Sequence, residues 1–328
     1  MAEPHAVLQQ LAQWITPAFY IDLGRPCNSA CLYCAVPPHE DAQGWVAWPE
    51  IAAMIAAGQA CGCDRAILIG GEPTVYPRLF EILALLKQSG LPRDHVMMTN
   101  GLRLAEPGLV HDLAAAGIGT VHISVDTADS PTYDRLSRSK GRLAQQWQGL
   151  RAALLEPSLQ VYDYCALTAI NAPTIPGLLR ALVDLADKLQ VKVPPLILAV
   201  AKPIGDALRH ADELLIAPAD SAQIVETMIE LGNSLGVTVG FRNVQACLLP
   251  DHVARSVDYY LDDFSVEVAS GVREPYSHTA YWHHPPLCEA CGHRGICTGI
   301  YRDLEKRYGH ADFHAIDRQG LRDGRAGG

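Results

Sequence analysis

Three cysteines on one short segment constrain this chain more than any other feature. Cys27, Cys31 and Cys34 stand at spacings of four and three residues, directly after an apolar run at 19–23 that is typical of a β-strand. Three thiolates from one loop are soft ligands that suit an iron–sulfur cluster, and they leave one iron of a four-iron cluster without a protein ligand. A structural zinc site is the alternative. Zinc usually takes four ligands in paired sets, and no fourth ligand lies nearby in the sequence.

The composition indicates the size of the protein and the cellular compartment in which these cysteines would stay reduced. The chain has 328 residues, 49% hydrophobic and 19% charged, which is enough for a large domain and an appendage. There are ten cysteines, with neither a signal peptide nor an apolar run of about 20 residues, so we expect a cytoplasmic, reduced, membrane-free protein. The formal net charge of −10 disfavours a nucleic-acid substrate.

Strand and helix patterns alternate after the cysteine segment. Predicted strands follow at 65–69, 95–99, 120–125, 161–169 and 196–201, with helices at 48–60, 78–88, 108–116, 142–155 and 175–189. This alternation is typical of a parallel sheet with crossover helices. The six strands therefore predict an α/β fold, a partial (β/α)6 TIM-like barrel, with its chemistry at the carboxyl ends of the strands.

The pattern changes after the sixth strand. A helix at 221–235, capped by Asp220, precedes a strand at 237–241 that differs in character from the barrel strands, and the region beyond residue 243 is irregular and cysteine-containing. We therefore expect a lead-in at 1–18 with an amphipathic helix, the partial barrel at 19–216, and a small cysteine-rich domain at 217–328.

The cysteine segment resembles the motif of the radical S-adenosylmethionine (radical SAM) superfamily, including the aromatic Tyr33 before its last cysteine. The resemblance implies that the open iron of a 4Fe-4S cluster on Cys27, Cys31 and Cys34 binds SAM. Reductive cleavage of SAM then yields a 5'-deoxyadenosyl radical that abstracts hydrogen from an unactivated C–H bond. A flavodoxin- or ferredoxin-type electron donor is the implied partner.

Further motifs at the strand ends extend the resemblance. Gly70, Gly71, Glu72 and Pro73 are similar to the family's GGEP motif, whose backbone contacts the SAM amino group, although an ordinary glycine turn is the alternative. Asn100 lies in a segment that resembles the family's TNG. Ser124 and Asp126 match the strand whose side chains approach SAM, and alternation places them with His122 on one side, toward the barrel interior. A turn cap is the alternative for Asp126.

Three more segments complete the implied cofactor site. Arg138 or its neighbour Arg135 matches an arginine that clamps the SAM carboxylate, a task that suits a planar guanidinium, and a solvated helix terminus is the alternative. Thr168 and Asn171 match a position where relatives place an Asn near SAM. After the sixth strand, Lys202 and Asp206 are candidates to face substrate, with ordinary surface charge as the simpler interpretation.

A second cysteine set lies near the C-terminus at Cys247, Cys288, Cys291 and Cys297. A CxxC turn directs two sulfurs to one metal site. The set resembles the SPASM or twitch extension of radical SAM enzymes, which implies an auxiliary 4Fe-4S cluster. If all four thiolates bind iron, the cluster has no open position and would serve in electron transfer. If Cys247 is not a ligand, one iron stays open and would bind substrate. Structural zinc is the alternative, with His293 as a substitute ligand. For the remaining cysteines we expect buried packing, at Cys61, Cys63 and Cys165.

The resemblance leaves several functions open. Maturation of a ribosomally made peptide has a slight preference, and the absence of an N-terminal recognition domain would then require a separate leader-peptide-binding partner. Dehydrogenation or epimerisation of a small-molecule natural-product intermediate is the alternative. Molybdopterin-type cofactor synthesis would agree with the terminal Gly327 and Gly328, and a non-catalytic, metal-stapled binding protein is the alternative from another class.

Overall fold

The computed structural model describes Ala6 and residues 18–35, 44–260, 266–267, 274–275, 281–295 and 297–316. The predicted lead-in helix and the terminal glycines Gly327 and Gly328 lie outside these residues. Within them, no helix is both long and apolar enough to cross a membrane.

Seven parallel strands form the centre of the molecule. They are β1 (Ala18–Asp22), β2 (Arg65–Ile69), β3 (His95–Thr99), β4 (Ile118–Ile123), β5 (Gln160–Leu167), β6 (Leu196–Val200) and β7 (Val239–Arg242). Each strand pairs in parallel with the next, so the order in the sheet follows the chain. Beyond β1 the sheet continues with β8 (Val266–Glu267) and β9 (Glu274–Pro275). The predicted α/β fold with a partial TIM-like barrel is confirmed.

Crossover helices connect these strands on the outside of the sheet. They are α1 (Trp48–Ala60), α2 (Leu79–Gln88), α3 (Leu109–Ala115), α4 (Ser130–Ser137), α5 (Leu143–Leu155), α6 (Ile175–Leu189), the short α7 (Gly205–Arg209) and α8 (Ala211–Leu214), and α9 (Pro218–Leu235). The sequence pattern did not indicate α4, although Asp129 caps it by accepting a hydrogen bond from the Thr132 N–H at 2.9 Å.

The seventh strand corrects one expectation. It was expected to differ from the barrel strands, but β7 pairs in parallel with β6, with Gly240 opposite Ile197 and Arg242 opposite Ala199. The reason is α9, which begins at Pro218 and returns the chain as another crossover helix, burying an apolar face against the sheet. Asp220 lies in the first turn of α9 and does not cap it.

The two faces of the sheet bury different sets of side chains, because neighbouring residues of a strand point to opposite faces. The outer face packs against the helices through one large cluster that includes Phe19, Leu68 and Val121. The inner face is closed near the amino ends of the strands by Ala18, Ile67, Val96, Tyr162, Ile197 and Val257. Further along the strands Tyr20, Ile69, Met98 and Tyr164 are only partly buried. The carboxyl ends therefore carry the accessible part of the interior.

The C-terminal region packs against this same end of the barrel. β10 (Trp282–His283) and β11 (Ile300–Tyr301) form an antiparallel pair, followed by α10 (Arg302–Tyr308). Tyr301 and Leu304 lie in one buried cluster with Ala201, just beyond β6, and Leu215. This packing brings the second cysteine set near the strand ends.

Candidate functional site

The loop that carries Cys27, Cys31 and Cys34 follows β1 and is fixed by its backbone. The Leu32 N–H donates to the Leu136 carbonyl at 2.8 Å, which ties the loop to α4. At the other end, the Asp206 N–H donates to the Cys34 carbonyl at 2.9 Å. The loop is therefore held in place without using a thiol.

The two glycines after β2 lie against the start of the same loop. The Gly71 N–H donates to the Gly24 carbonyl at 2.6 Å, and the Glu72 N–H donates to the Pro26 carbonyl at 3.1 Å. A Cβ on Gly71 would lie 2.7 Å from the Pro26 carbonyl carbon and closer still to its oxygen. Gly70 has φ +138°, which side chains rarely allow. The glycines thus permit close contact between two loops of the protein.

The thiols of this loop fit the donor chemistry of an iron–sulfur cluster. All ten cysteines are thiols; Cys27 is exposed, and Cys31 and Cys34 are partly buried. Burial raises the pKa of Cys27 to about 11 and that of Cys31 to about 12, so both are protonated at neutral pH and must lose their protons to bind iron. The Asn100 amide nitrogen lies 3.9 Å from the Cys27 sulfur, where it can donate to a thiolate.

The carboxylate of Glu72 is enclosed by donors of the protein itself. It is 1% exposed, and its Oε1 accepts from the Thr74 N–H at 3.0 Å and from the Thr74 and Thr99 hydroxyls at 2.6 and 2.7 Å. Its Oε2 accepts from the Asn100 N–H at 2.7 Å. Glu72 thus joins the ends of β2 and β3, and both of its carboxylate oxygens accept hydrogen bonds from groups of the protein.

Asp126 joins the cysteine loop to β5. Its Oδ1 accepts from the Ala166 N–H at 2.8 Å, and its Oδ2 accepts from the Tyr33 hydroxyl. Burial raises the pKa of the Asp126 carboxyl to about 7, although both hydrogen bonds favour its charged form. The side chains of Tyr33 and Asp126, both expected to contact SAM, thus contact each other.

Asn171 and Thr168 are fully buried beneath Asp126. The Asn171 Oδ1 accepts from the N–H and the hydroxyl of Thr168, both at 2.8 Å. Its Nδ2 donates to the carbonyls of Asp126 and Ala166 at 2.8 and 2.9 Å. The amide is therefore saturated by protein groups, and a contact with SAM stays a prediction.

The remaining predicted SAM residues are dispersed. Ser124 directly follows β4 and is partly buried, with its carbonyl accepting from the Gln146 amide at 2.9 Å. Arg138 ends α4 in the left-handed conformation, φ 52°, and donates to the His210 Nε2 at 2.8 Å. Arg135 pairs with Glu213 at 2.9 Å. Both arginines thus interact with the segment after β6.

The second cysteine set surrounds an open space of about 360 Å³. Its lining includes all four thiols, Cys247, Cys288, Cys291 and Cys297, together with His284, His293 and His314. Burial raises the pKa of Cys247 to about 11 and also raises the pKa of Cys297. The expected set is thus gathered around one cavity, with histidines that sequence reasoning largely missed.

Among the residues that the structure describes, no three Cys, His, Asp or Glu side chains converge as ligands of one metal ion. A zinc site requires such convergence, with each sulfur about 2.3 Å from a single ion. A four-iron cluster does not, because it binds each thiolate through a different iron.

Of the cysteines expected in the core, Cys63 and Cys165 are buried, and Cys61 is only partly buried.

A polar group that the sequence pattern did not indicate lies on the inner face of the sheet. Arg242, at the end of β7, donates from Nε to Asp258 at 2.8 Å and from Nη1 to the Tyr164 hydroxyl at 3.1 Å. The His122 ring stacks on Tyr164 with centroids 6.0 Å apart. Strand alternation places His122 and Tyr164 inside the barrel, but nothing in the sequence pairs Arg242 with Asp258.

Comparison with known proteins gives many partial sequence matches, among them two GTP 3',8-cyclases. A probable GTP 3',8-cyclase of Methanopyrus kandleri is 31% identical over 169 residues, which are 51% of this chain and 53% of that protein. The GTP 3',8-cyclase of Heliobacterium modesticaldum is 34% identical over 131 residues, 39% of each chain. This chain thus spans about half or less of the length of these curated relatives.

One solved structure and one family model complete the comparison. The crystal structure of Streptococcus suis SuiB bound to precursor peptide SuiA superposes with a TM-score of 0.56 at 15% identity, over 75% of this chain and 54% of that one. At this identity the likeness concerns the fold. The sequence model of the Radical SAM superfamily matches residues 21–155, which contain the cysteine loop and the ends of β1 to β4. This chain therefore contains a Radical SAM domain over residues 21–155.

Proposed function

We propose that this chain is an enzyme that cleaves SAM reductively and abstracts hydrogen from a C–H bond of a small-molecule substrate held at the carboxyl ends of the strands. The observation that carries the proposal is the three-thiol loop, held at the strand ends by Gly71, Glu72 and the Asp206 N–H. Such a backbone-fixed set of three thiols suits an iron–sulfur cluster with one open iron.

The chain's own residues would divide the work at this site. Cys27, Cys31 and Cys34 would hold the cluster, which when bound with SAM supplies the 5'-deoxyadenosyl radical. Tyr33 and the segment of Gly70, Gly71 and Pro73 would form the cofactor wall. Further predicted contacts are Asn100, Ser124, Asp126 and Arg138.

Three other residues of the predicted SAM set suit a positioning role better. Glu72, Thr168 and Asn171 are almost fully buried, and their polar atoms bond to protein groups. They would fix the ends of β2, β3 and β5 at the spacing that the cofactor requires. Their effect on SAM would therefore be indirect.

The C-terminal cysteines would hold an auxiliary 4Fe-4S cluster. The support is the open space of about 360 Å³ that all four thiols line, close to the strand ends. An electron-transfer role follows if all four bind iron, and a flavodoxin or ferredoxin would deliver the first electron at the other cluster. A zinc ion in the same cavity is the competing hypothesis.

A small molecule is favoured over the peptide that the sequence analysis preferred. The curated relatives are named for GTP, a small molecule. The inner face of the barrel is closed near its amino ends and offers a polar group beside Tyr164. Peptide maturation, with its separate leader-binding partner, remains an untested prediction.

The test is metal and SAM chemistry on anaerobically reconstituted protein. Wild type should contain about eight irons per chain and form 5'-deoxyadenosine, and changing Cys27, Cys31 and Cys34 together to Ala should leave about four irons and no cleavage. Changing Cys288, Cys291 and Cys297 to Ala should remove the other four.

Cys61→Ala is the matched control, because this partly buried thiol lies outside both sets, and it should retain all the iron. Wild type with about four irons and one zinc would replace the auxiliary cluster with a structural ion. If no iron depended on Cys27, Cys31 and Cys34, the radical function would be excluded.

A further inference from the structure

His293 lies between two cysteines of the C-terminal set and is almost completely buried. It follows Cys291 by two residues and is 4% exposed. Its carbonyl accepts from the Cys297 N–H at 2.8 Å, and the Arg294 N–H donates to the Cys291 carbonyl at 3.3 Å. The backbone at His293 is therefore tied to the same turn that carries the thiols of Cys291 and Cys297.

The imidazole of His293 has a ring nitrogen that the surrounding protein does not satisfy. Its Nδ1 is buried, and no group in the described part of the chain forms a hydrogen bond with it. An imidazole nitrogen either donates or accepts a hydrogen bond, and leaving it unsatisfied in the interior is costly. Such atoms are rare in native proteins, and a bound ion or cofactor is one of the few explanations for them.

The open space beside the ring indicates the chemistry of the missing partner. His293 lines the space of about 360 Å³ together with all four thiols of the C-terminal set. A 4Fe-4S cluster bound by these thiols would present thiolate and sulfide sulfurs, which accept hydrogen bonds and cannot donate them. The proton of the neutral ring would then be on Nδ1, because the hydrogen bonds of the two ring nitrogens fix the tautomer.

The other two histidines that line this space are placed differently. The His284 Nε2 bonds to the Cys297 carbonyl at 2.9 Å, and His314 is exposed to water. The Cys297 sulfur itself accepts from the Gly299 N–H at 3.4 Å. Of the three rings, that of His293 combines near-complete burial with a nitrogen that lacks a partner among the described residues.

We propose that the His293 Nδ1–H donates a hydrogen bond to a sulfur of the auxiliary cluster and thereby raises the reduction potential of that cluster. This inference deepens the proposed function and rests on its auxiliary cluster. Reduction adds negative charge to the cluster, so a fixed donor stabilises the reduced state more than the oxidised state. His293 is therefore a positioning residue for electron transfer.

An EPR-monitored redox titration of the anaerobically reconstituted full-length protein, without SAM, tests the inference. The auxiliary signal is the one that remains when Cys27, Cys31 and Cys34 are changed together to Ala. His293→Leu removes the donor and should lower the midpoint potential. At a fixed solution potential the ratio of reduced to oxidised cluster should fall about tenfold, which is about 59 mV for a one-electron couple.

Two further variants separate the hydrogen bond from packing. His293→Gln keeps an N–H donor and should bring the ratio back to within about threefold of wild type. His314→Leu is the matched control, because His314 lines the same space but is exposed, and it should titrate like wild type.

Pulsed EPR of protein with isotopically labelled histidine nitrogen covers the case in which His293→Leu does not fold or does not bind iron. Wild type should show the weak nitrogen coupling of a hydrogen-bonded ring, and His293→Gln should lose it. A strong coupling, typical of an iron–nitrogen bond, would overturn the inference because His293 would then be a ligand.

The outcomes also separate this inference from the proposed function. An intact auxiliary cluster with the same potential in wild type and His293→Leu would overturn the inference and leave the proposed function standing. Zinc in place of the cluster would overturn the inference together with the auxiliary cluster. Because SAM and substrate are omitted, neither result depends on whether the protein cleaves SAM.

Discussion

The Thr99 hydroxyl donates to the Glu72 carboxylate at 2.7 Å, so one buried acidic side chain joins the carboxyl ends of β2 and β3. The same carboxylate accepts from Thr74 and from the Asn100 N–H. Glu72→Gln preserves the size of the side chain but replaces one acceptor oxygen with an NH2 donor. We expect the free energy of unfolding to fall by about 2–4 kcal/mol, measured by urea denaturation.

Glu81→Gln is the matched control for Glu72→Gln. Glu81 pairs with Arg78 at 2.5 Å, but both side chains are largely exposed. Exposed pairs contribute about 0–1 kcal/mol, so this change should have a small effect. Similar losses for the two variants would contradict the structural role of the buried carboxylate.

Gly71→Ala should disrupt the docking of the cysteine loop. The new methyl group would overlap the Pro26 carbonyl, and the Gly71 N–H would lose its bond to Gly24. We expect reduced iron on Cys27–Cys34 and a lower melting temperature. Iron per chain and thermal denaturation measure the two effects.

The control for that change is Gly177→Ala in α6, where nothing lies within 4 Å of a new Cβ. Alanine is the better helix former, so stability should stay constant or rise by up to about 1 kcal/mol. Full iron loading and unchanged stability in Gly71→Ala would show that the loops do not require this close contact.

Asn171→Ala separates a positioning role from a direct contact with SAM. The change leaves the Thr168 N–H and two buried carbonyls without their partner, and we expect a loss of about 2–4 kcal/mol in unfolding free energy. SAM affinity of the folded, cluster-loaded variant should stay within about threefold of wild type.

Asn233→Ala is the control, since this exposed amide accepts only from the Arg255 guanidinium at 2.8 Å among the described residues. It should lose less than about 1 kcal/mol. The opposite pattern for Asn171→Ala, with stability preserved and SAM binding lost, would establish the direct contact that the family resemblance implies.

A strand was predictable from the sequence where one short segment contains both the apolar run and the turn residues that end it. The runs at 65–69 and 95–99 coincide with β2 and β3, because buried parallel strands are continuous apolar segments bounded by turn residues. β7 was misjudged for the opposite reason. Its membership in the sheet depends on pairing with β6 after the long α9, and a short run such as Val239–Arg242 does not specify its partner.

The site shows the same division between local and long-range information. The motif located Gly71 and Glu72 at the cysteine loop, but it did not reveal that the Glu72 carboxylate bonds within the protein. The partners of Glu72 and Asn171 come from loops that meet only in the folded chain. The Arg242–Asp258 pair has no motif, and strand alternation alone could have indicated that Tyr164 faces inward.

The last prediction concerns Asp163, a buried carboxyl on β5 that no motif includes. It is 0% exposed; its Oδ1 accepts from the Val125 N–H at 3.2 Å, and among the described residues its Oδ2 has no partner. Burial, and secondarily the charge of Asp126, raise the pKa of Asp163 well above the ordinary value of about 3.9. The carboxyl is therefore expected to be neutral in the folded protein at mildly acidic pH.

When the pKa of a carboxyl is higher in the folded than in the unfolded protein, the protonated carboxyl favours the folded state. This stabilisation is fully present below the unfolded-state pKa and is lost as the pH rises through the folded-state pKa. Each pH unit between the two values costs about 1.4 kcal/mol. Asp163→Asn retains the acceptor for Val125 and cannot ionise, so its urea midpoint should decline less than that of wild type as the pH is raised from about 5 to 8. Asp184→Asn, at an exposed position of α6, should follow the wild-type slope. Parallel slopes for wild type and Asp163→Asn would show that Asp163 is ionised in the fold and that water or a neighbouring group reaches its Oδ2.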